Sequence, residues 1–150
     1  MIVSNEKDTQ NIANKIANSI NGINLVLCLN GDLGAGKTTF TRHLIRNLQN
    51  NKFDNEIPSP TFTLLQIYDY KLGQIYHYDF YRLDKIEELF ELNFSESLRN
   101  NICIIEWANK FKKALPVDRV EIDFEIISEN SRKLKFNFLG KFKKDIFQWL

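Results

Sequence analysis

Gly31-Asp32-Leu33-Gly34-Ala35-Gly36-Lys37-Thr38 fits the pattern G-x-x-x-x-G-K-[ST] at every position, and Thr39 follows it. The composition follows from the chemistry of holding phosphates. Several backbone N–H groups must converge on one anion, and glycines permit both the close approach and the unusual dihedrals. The helix that follows would aim its N-terminus at the same charge. Lys37 supplies a mobile cation for the β- and γ-phosphates, and Thr38 a hydroxyl ligand for Mg²⁺. The segment Gly31–Thr39 is therefore expected to bind ATP with Mg²⁺.

Such a site also needs a carboxylate near the cation, usually at the end of a neighbouring strand. Glu106 fits, because the apolar run Ile102–Ile105 precedes it and ligands gather at the carboxyl ends of parallel strands. Its longer side chain allows either direct or water-mediated contact with Mg²⁺. Asp79, in Tyr76-His77-Tyr78-Asp79-Phe80-Tyr81-Arg82, can position an attacking water or support the metal, or can be a structural acid paired with Arg82. Thr61, in Ser59-Pro60-Thr61-Phe62, is a candidate sensor of the γ-phosphate, in a loop after the first phosphate-binding helix. His77 reads as a packed or hydrogen-bonded ring and His43 as a surface residue. Asn51-Lys52-Phe53-Asp54 matches the guanine signature N-K-x-D, but it follows the helix at once instead of ending a late strand. It is treated as coincidence, which favours ATP over GTP.

The elements that must hold these groups are visible in the hydrophobic pattern. Ile12, Ala13, Ile16, Ala17 and Ile20 fall at helical spacing before Gly22. Leu25–Leu29 is an unbroken apolar run, as in a parallel strand buried on both faces. Phe40, Leu44, Ile45 and Leu48 mark the helix after the glycine-rich turn. Phe62–Tyr70 and Gln74–Tyr81 read as a hairpin around Lys71-Leu72-Gly73. Helices are predicted over Asp84–Leu92, with Asp84 as cap, over Ser95–Arg99 and over Asn109–Leu115. Val120, Ile122, Phe124 and Ile126 alternate with acids, and Leu134, Phe136 and Phe138 with lysines. These are two half-buried strands whose acidic and basic faces can meet, while a nucleic-acid stripe is the other use for those lysines. The final KFKKDIFQWL is expected to dock Phe147 and Trp149. Together these predict an α/β fold: a P-loop NTPase three-layer sandwich, in one domain over 1–150, with a mixed, mainly parallel sheet and a C-terminal antiparallel hairpin.

Composition removes other classes. The 150 residues are 43% hydrophobic and 26% charged with a net charge of +1, which argues against bulk electrostatic binding to nucleic acid or membrane. The longest apolar stretch is far short of the ~20 residues of a membrane span. MIVSNEKDTQ lacks the apolar centre of a signal peptide. Cys28 and Cys103 each sit in an apolar run and read as buried thiols without metal-ligand spacing. A cytoplasmic protein is expected.

GDLGAGKTTF, SPTFTL, YHYDFYRL and IIEWANK, in this order and spacing, resemble the TsaE (YjeE) family, small P-loop ATPases of bacterial tRNA threonylcarbamoyladenosine biosynthesis. The resemblance runs from the first helix to LPVDRVEIDF. It implies phosphate and Mg²⁺ binding by Lys37 and Thr38, a place for Glu106 in the magnesium site, and a requirement for Asp79 in hydrolysis. It also implies a switch loop around Thr61, and Trp107 near the nucleotide; core packing is the other use for that ring. The partners implied are the TsaD–TsaB protein pair, with tRNA involved indirectly and hydrolysis resetting the complex. Two departures are Ala108, where proline is common, and Asn93, where glycine is common; Asn93 is expected to tolerate a positive φ. A small-molecule kinase on the same P-loop, or a nucleotide-dependent binding module without turnover, are the competing functions; few arginines are present to form a kinase lid.

Overall fold

The computed structural model describes residues 1–50 and 56–150, so the whole N-K-x-D match, Asn51 to Asp54, lies outside the described residues. The strands are β1 (Ile2–Val3), β2 (Leu25–Gly31), β3 (Leu65–Tyr70), β4 (Gly73–Asp79), β5 (Ile102–Glu106), β6 (Arg119–Ile126) and β7 (Arg132–Leu139). The helices are α1 (Glu6–Ile20), α2 (Lys37–Leu48), α3 (Glu88–Glu91) and α4 (Phe94–Ser97), with 3₁₀ segments over Ala108–Ala114 and Lys144–Phe147. All strands join one sheet in the order β1-β7-β6-β2-β5-β4-β3. The middle is parallel, with β2 between β5 and β6 and with β4 beside β5; β3 and β7 run antiparallel to β4 and β6.

The unbroken apolar run of β2 has its expected cause. Leu25, Leu27 and Leu29 pack with Ile102 and Ile104 under Ile16, Ile20, Phe40 and Leu44 of α1 and α2. Val26 and Cys28 face the other way with Cys103 and Ile105, against Leu89, Phe94 and Ala108. Helices on both faces give three layers. Both thiols are buried and unpaired, and burial pushes Cys103 up to about 12. Asn5 caps α1 by accepting from the Asp8 N–H at 2.9 Å. Phe147 is buried beside Phe136, Phe138 and Trp149, whose indole N–H donates to Ser19 of α1 at 3.2 Å.

Several local expectations change. The strand expected from Phe62 starts at Leu65, because Thr61–Leu64 form a turn closed by Leu64 N–H to the Pro60 carbonyl and by a positive φ of 66° at Leu64. Asp84 does not cap a helix over Asp84–Leu92. Instead the Glu88 carboxylate accepts the N–H groups of Asp84 and Lys85, each at 2.8 Å, and only Glu88–Glu91 is helical. Asn93 does take a positive φ, 51°, before α4, which covers Phe94–Ser97 and not Ser95–Arg99. The segment after β5 is 3₁₀ and kinked at Phe111. On the C-terminal hairpin the facing charges yield one cross-strand ion pair among the described residues, Glu125–Lys133 at 3.3 Å. Glu121 turns to Arg119 at 2.8 Å, and Asp123 accepts from Asn30 and Asn137. The edge lysines are thus partly absorbed by the sheet's own chemistry. No helix among the described residues is long and apolar enough to cross a membrane.

Candidate functional site

β2 leaves the sheet at Gly31, whose φ of +141° and position against β6 both exclude a side chain: a Cβ there would lie 2.5 Å from the Phe124 carbonyl oxygen. The turn closes through Ala35 N–H to the Asp32 carbonyl, and Gly36, at φ +100°, starts α2. A Cβ on Gly34 or Gly36 would meet no atom within 4 Å, so the glycines leave an open concavity in front of the helix N-terminus. Ala35 is buried, while Leu33 stands 75% exposed on the rim.

Lys37 is only 4% exposed. Its Nζ turns back on the loop, donating to the carbonyls of Gly31 at 2.6 Å and Asp32 at 2.9 Å, and lies 4.1 Å from the Trp107 ring centre. Burial holds its ammonium below the usual lysine range, against the pull of Glu106, Asp79 and Asp32. Thr38 donates its hydroxyl to Glu106 Oε2 at 2.7 Å, and Glu106 Oε1 lies 2.8 Å from His77 Nε2. Thr39, one residue on, lines three adjoining cavities.

The parallel register brings the second carboxylate alongside, since Asp79 at the end of β4 pairs with Glu106 at the end of β5. Asp79 Oδ2 accepts the Thr61 hydroxyl at 2.8 Å, and Oδ1 accepts the Tyr81 N–H at 2.8 Å. Burial pushes Asp79 above the usual carboxylate range; those two hydrogen bonds oppose the shift and Glu106 adds to it. With both oxygens engaged, the Asp79–Arg82 pair does not form, and the Arg82 guanidinium lies over the Phe62 ring at 4.8 Å. Ser59 Oγ sits 2.8 Å from Thr61 Oγ1. Lys37, Thr38, Thr61, Asp79, Glu106 and Trp107 thus line one cavity.

Trp107 is therefore a wall of this cavity, and it also packs, half-buried, against the core beneath. It has a φ of +58°, donates its backbone N–H to Leu29 across the strand ends, and packs on Tyr81 at 4.9 Å between centroids. The model for the family described as Threonylcarbamoyl adenosine biosynthesis protein TsaE matches residues 3–134. The chain belongs to the TsaE family. The TsaE protein of Rickettsia felis is 43% identical over 132 residues, covering 88% of this chain and 75% of the relative. The Rickettsia typhi protein is 42% identical over 143 residues, 93% and 97% of the two chains. That of Bacillus subtilis is 35% identical over 116 residues, 77% and 70%. Each bears the name tRNA threonylcarbamoyladenosine biosynthesis protein TsaE. The crystal structure of YdiB from Bacillus subtilis superimposes with a TM-score of 0.75 at 30% identity, covering 99% of this chain and 90% of that one.

For this TsaE chain, His77 is a hydrogen-bonded ring as expected, with Glu106 as its partner. Sequence reasoning missed two site features. Asn30 ties the end of β2 to the turn after β5 by accepting the Asn109 N–H at 2.9 Å. Arg42 anchors the segment before the Thr61 loop through the Ile57 carbonyl at 2.8 Å. His43 is not a free surface ring: it is largely covered and contacts Glu6 at 3.2 Å.

Proposed function

We propose that this protein binds ATP with Mg²⁺ in the Lys37–Glu106 cavity and hydrolyses it, acting with the TsaD–TsaB pair in the biosynthesis of threonylcarbamoyladenosine in tRNA. The observation that carries the ATPase reading is the convergence of Lys37, Thr38, Glu106, Asp79 and Thr61, from α2, β5, β4 and the loop before β3, on one cavity.

The residues fit ATP and Mg²⁺. The glycine concavity is open where side chains would fill it, and Lys37 occupies itself with carbonyl oxygens, acceptors that phosphate oxygens can replace. Among the described residues no group of three or more His, Cys, Asp or Glu could hold a metal ion by itself. Mg²⁺ suits such a place, because it binds through one or two protein groups and completes its shell with phosphates and water. Thr38 and Glu106 would be those groups. When bound, the cation would neutralise charge between the β- and γ-phosphates.

Lys37 would trade the Gly31 and Asp32 carbonyls for phosphate oxygens. Asp79, held beside Glu106 and not on the phosphate loop, would orient the attacking water and take up its proton at Oδ2, and Thr61 would leave Oδ2 for the γ-phosphate. A second cavity shares Gly34, Gly36 and Thr39 with the first and is lined further by Asn5, Thr9, Phe124 and Arg132; this is the place for the nucleoside. The family relation supports the pathway. The nearly neutral net charge of +1 favours protein partners over bulk contact with tRNA.

Calorimetric titration with ATP and ADP, with and without Mg²⁺, tests the site. Lys37→Ala is expected to lose most affinity, about 10-fold or more. Thr38→Ala and Glu106→Ala should chiefly lose the response to Mg²⁺. A Glu106→Ala protein that hydrolyses ATP with unchanged Mg²⁺ dependence would refute the metal assignment. Transfer of phosphate to a small-molecule acceptor would make the protein a kinase, and binding without turnover even with the pair would make it a binding module.

A further inference from the structure

His77 is fully buried, yet among the described residues one of its ring nitrogens has neither partner nor solvent. An apolar side chain of similar volume would avoid that desolvation cost, so the ring needs another justification. The two-residue alternation of β4 places His77 on the face that also carries Asp79, one step below the strand end. Opposite it in register is Ile104, two residues before Glu106. From there Nε2 reaches Glu106 Oε1 at 2.8 Å, while Glu106 Oε2 accepts from Thr38 at 2.7 Å. A carboxylate oxygen has no proton to give, so the short contact requires a proton on Nε2, and among the described residues Nδ1 is the unpartnered atom.

We propose that His77 is a positioning residue for the cation site: its Nε2–H pins Glu106 Oε1 inside the sheet, so that only Oε2 faces Thr38 and the cation. This rests on Thr38 and Glu106 being the groups that hold Mg²⁺. Without the pin, the Glu106 carboxylate is free to rotate, and ordering it must come from the cation's own binding. Partners of this kind behind a ligating carboxylate typically account for about 10–100-fold in metal affinity.

The test is ADP binding by calorimetry across a Mg²⁺ series, on the full chain and on His77→Leu, His77→Gln and Glu106→Gln. Leucine fills the space with no donor, whereas glutamine carries an N–H at a similar reach to Nε2. In His77→Leu the Mg²⁺ concentration for half-maximal effect is expected to rise about 10-fold or more, with Mg²⁺-free affinity unchanged, and His77→Gln should restore it. A His77→Leu protein with the wild-type Mg²⁺ response overturns the proposal, as does a folded His77→Gln protein that fails to restore it. If the unmutated chain shows no Mg²⁺ effect, or Glu106→Gln keeps a normal one, the cation site itself is wrong and the proposal falls with it. Nitrogen-15 NMR of the unmutated chain gives a check independent of any variant's folding. A proton on Nε2 is expected, and a ring protonated only at Nδ1 overturns the assignment.

Discussion

At the scale of single residues, Lys37 and Asp79 are both buried in a direction that disfavours their charged forms, and both are held by hydrogen bonds that a ligand can take over. Asp79 allows a check of sign. Its folded pKa is raised above the ordinary 3.8, so the folded state binds the proton more tightly than the unfolded one. The resulting stabilisation is complete below about pH 3.8 and is lost as pH rises through the higher folded value. Asp79→Asn keeps an acceptor for Thr61 and cannot ionise. Its melting temperature relative to the unmutated protein should therefore improve from pH 4 to pH 7, whatever the offset from the lost Tyr81 contact. A relative melting temperature that worsens over that range would mean the fold stabilises the charge. The same variant should retain nucleotide binding and lose turnover; equal loss of both in a folded protein would remove Asp79 from the chemistry.

Among the elements, the phosphate loop divides its glycines by task. Gly31 is fixed by the fold, since its Cβ would strike the backbone of β6, whereas Gly36 faces open space. Gly31→Ala is expected to destabilise the chain by about 1–3 kcal/mol. Gly36→Ala should cost less stability and proportionally more nucleotide affinity, because its methyl group enters the concavity. Thermal melts and ADP titrations on both variants measure this; equal melting temperatures would contradict the assigned clash. The same loop was legible in the sequence, as were β2 and β5, because double burial writes an unbroken apolar run and the glycine pattern is local. Less was legible over 84–99. There the Glu88 side chain satisfies backbone N–H groups from Asp84 and Lys85, which leaves only Glu88–Glu91 helical, although the positive φ at Asn93 was expected. The start of β3 was misread because Phe62 is apolar but 82% exposed, in a turn set by the backbone of Pro60 and Leu64. The pairing of Asp79 with Glu106, and the Thr61 and His77 contacts, depend on strand register, which joins residues far apart in the chain and leaves little trace in local pattern.

For the whole molecule, the cavity around the proposed phosphate position is lined by the loop, Lys37, Thr61, Asp79 and Trp107, and among the described residues no arginine lines it. Leu33 and Phe62 stand exposed near it, and the Arg82 guanidinium lies on Phe62 instead of reaching Asp79. A phosphoryl-transfer site lacking an arginine finger can be slower by a factor of about 10³–10⁵. Closure by a partner would exclude water and hold the Thr61 loop in place. The isolated chain is therefore expected to turn over slowly and to be accelerated by its partners. The deciding measurement is steady-state phosphate release from ATP with Mg²⁺, by the purified chain alone and with the purified TsaD–TsaB pair, with Asp79→Ala as control. The expected result is slow release alone, at least about 10-fold faster release with the pair, and no acceleration for Asp79→Ala. A full rate for the isolated chain, unchanged by the pair and insensitive to Asp79, would contradict it.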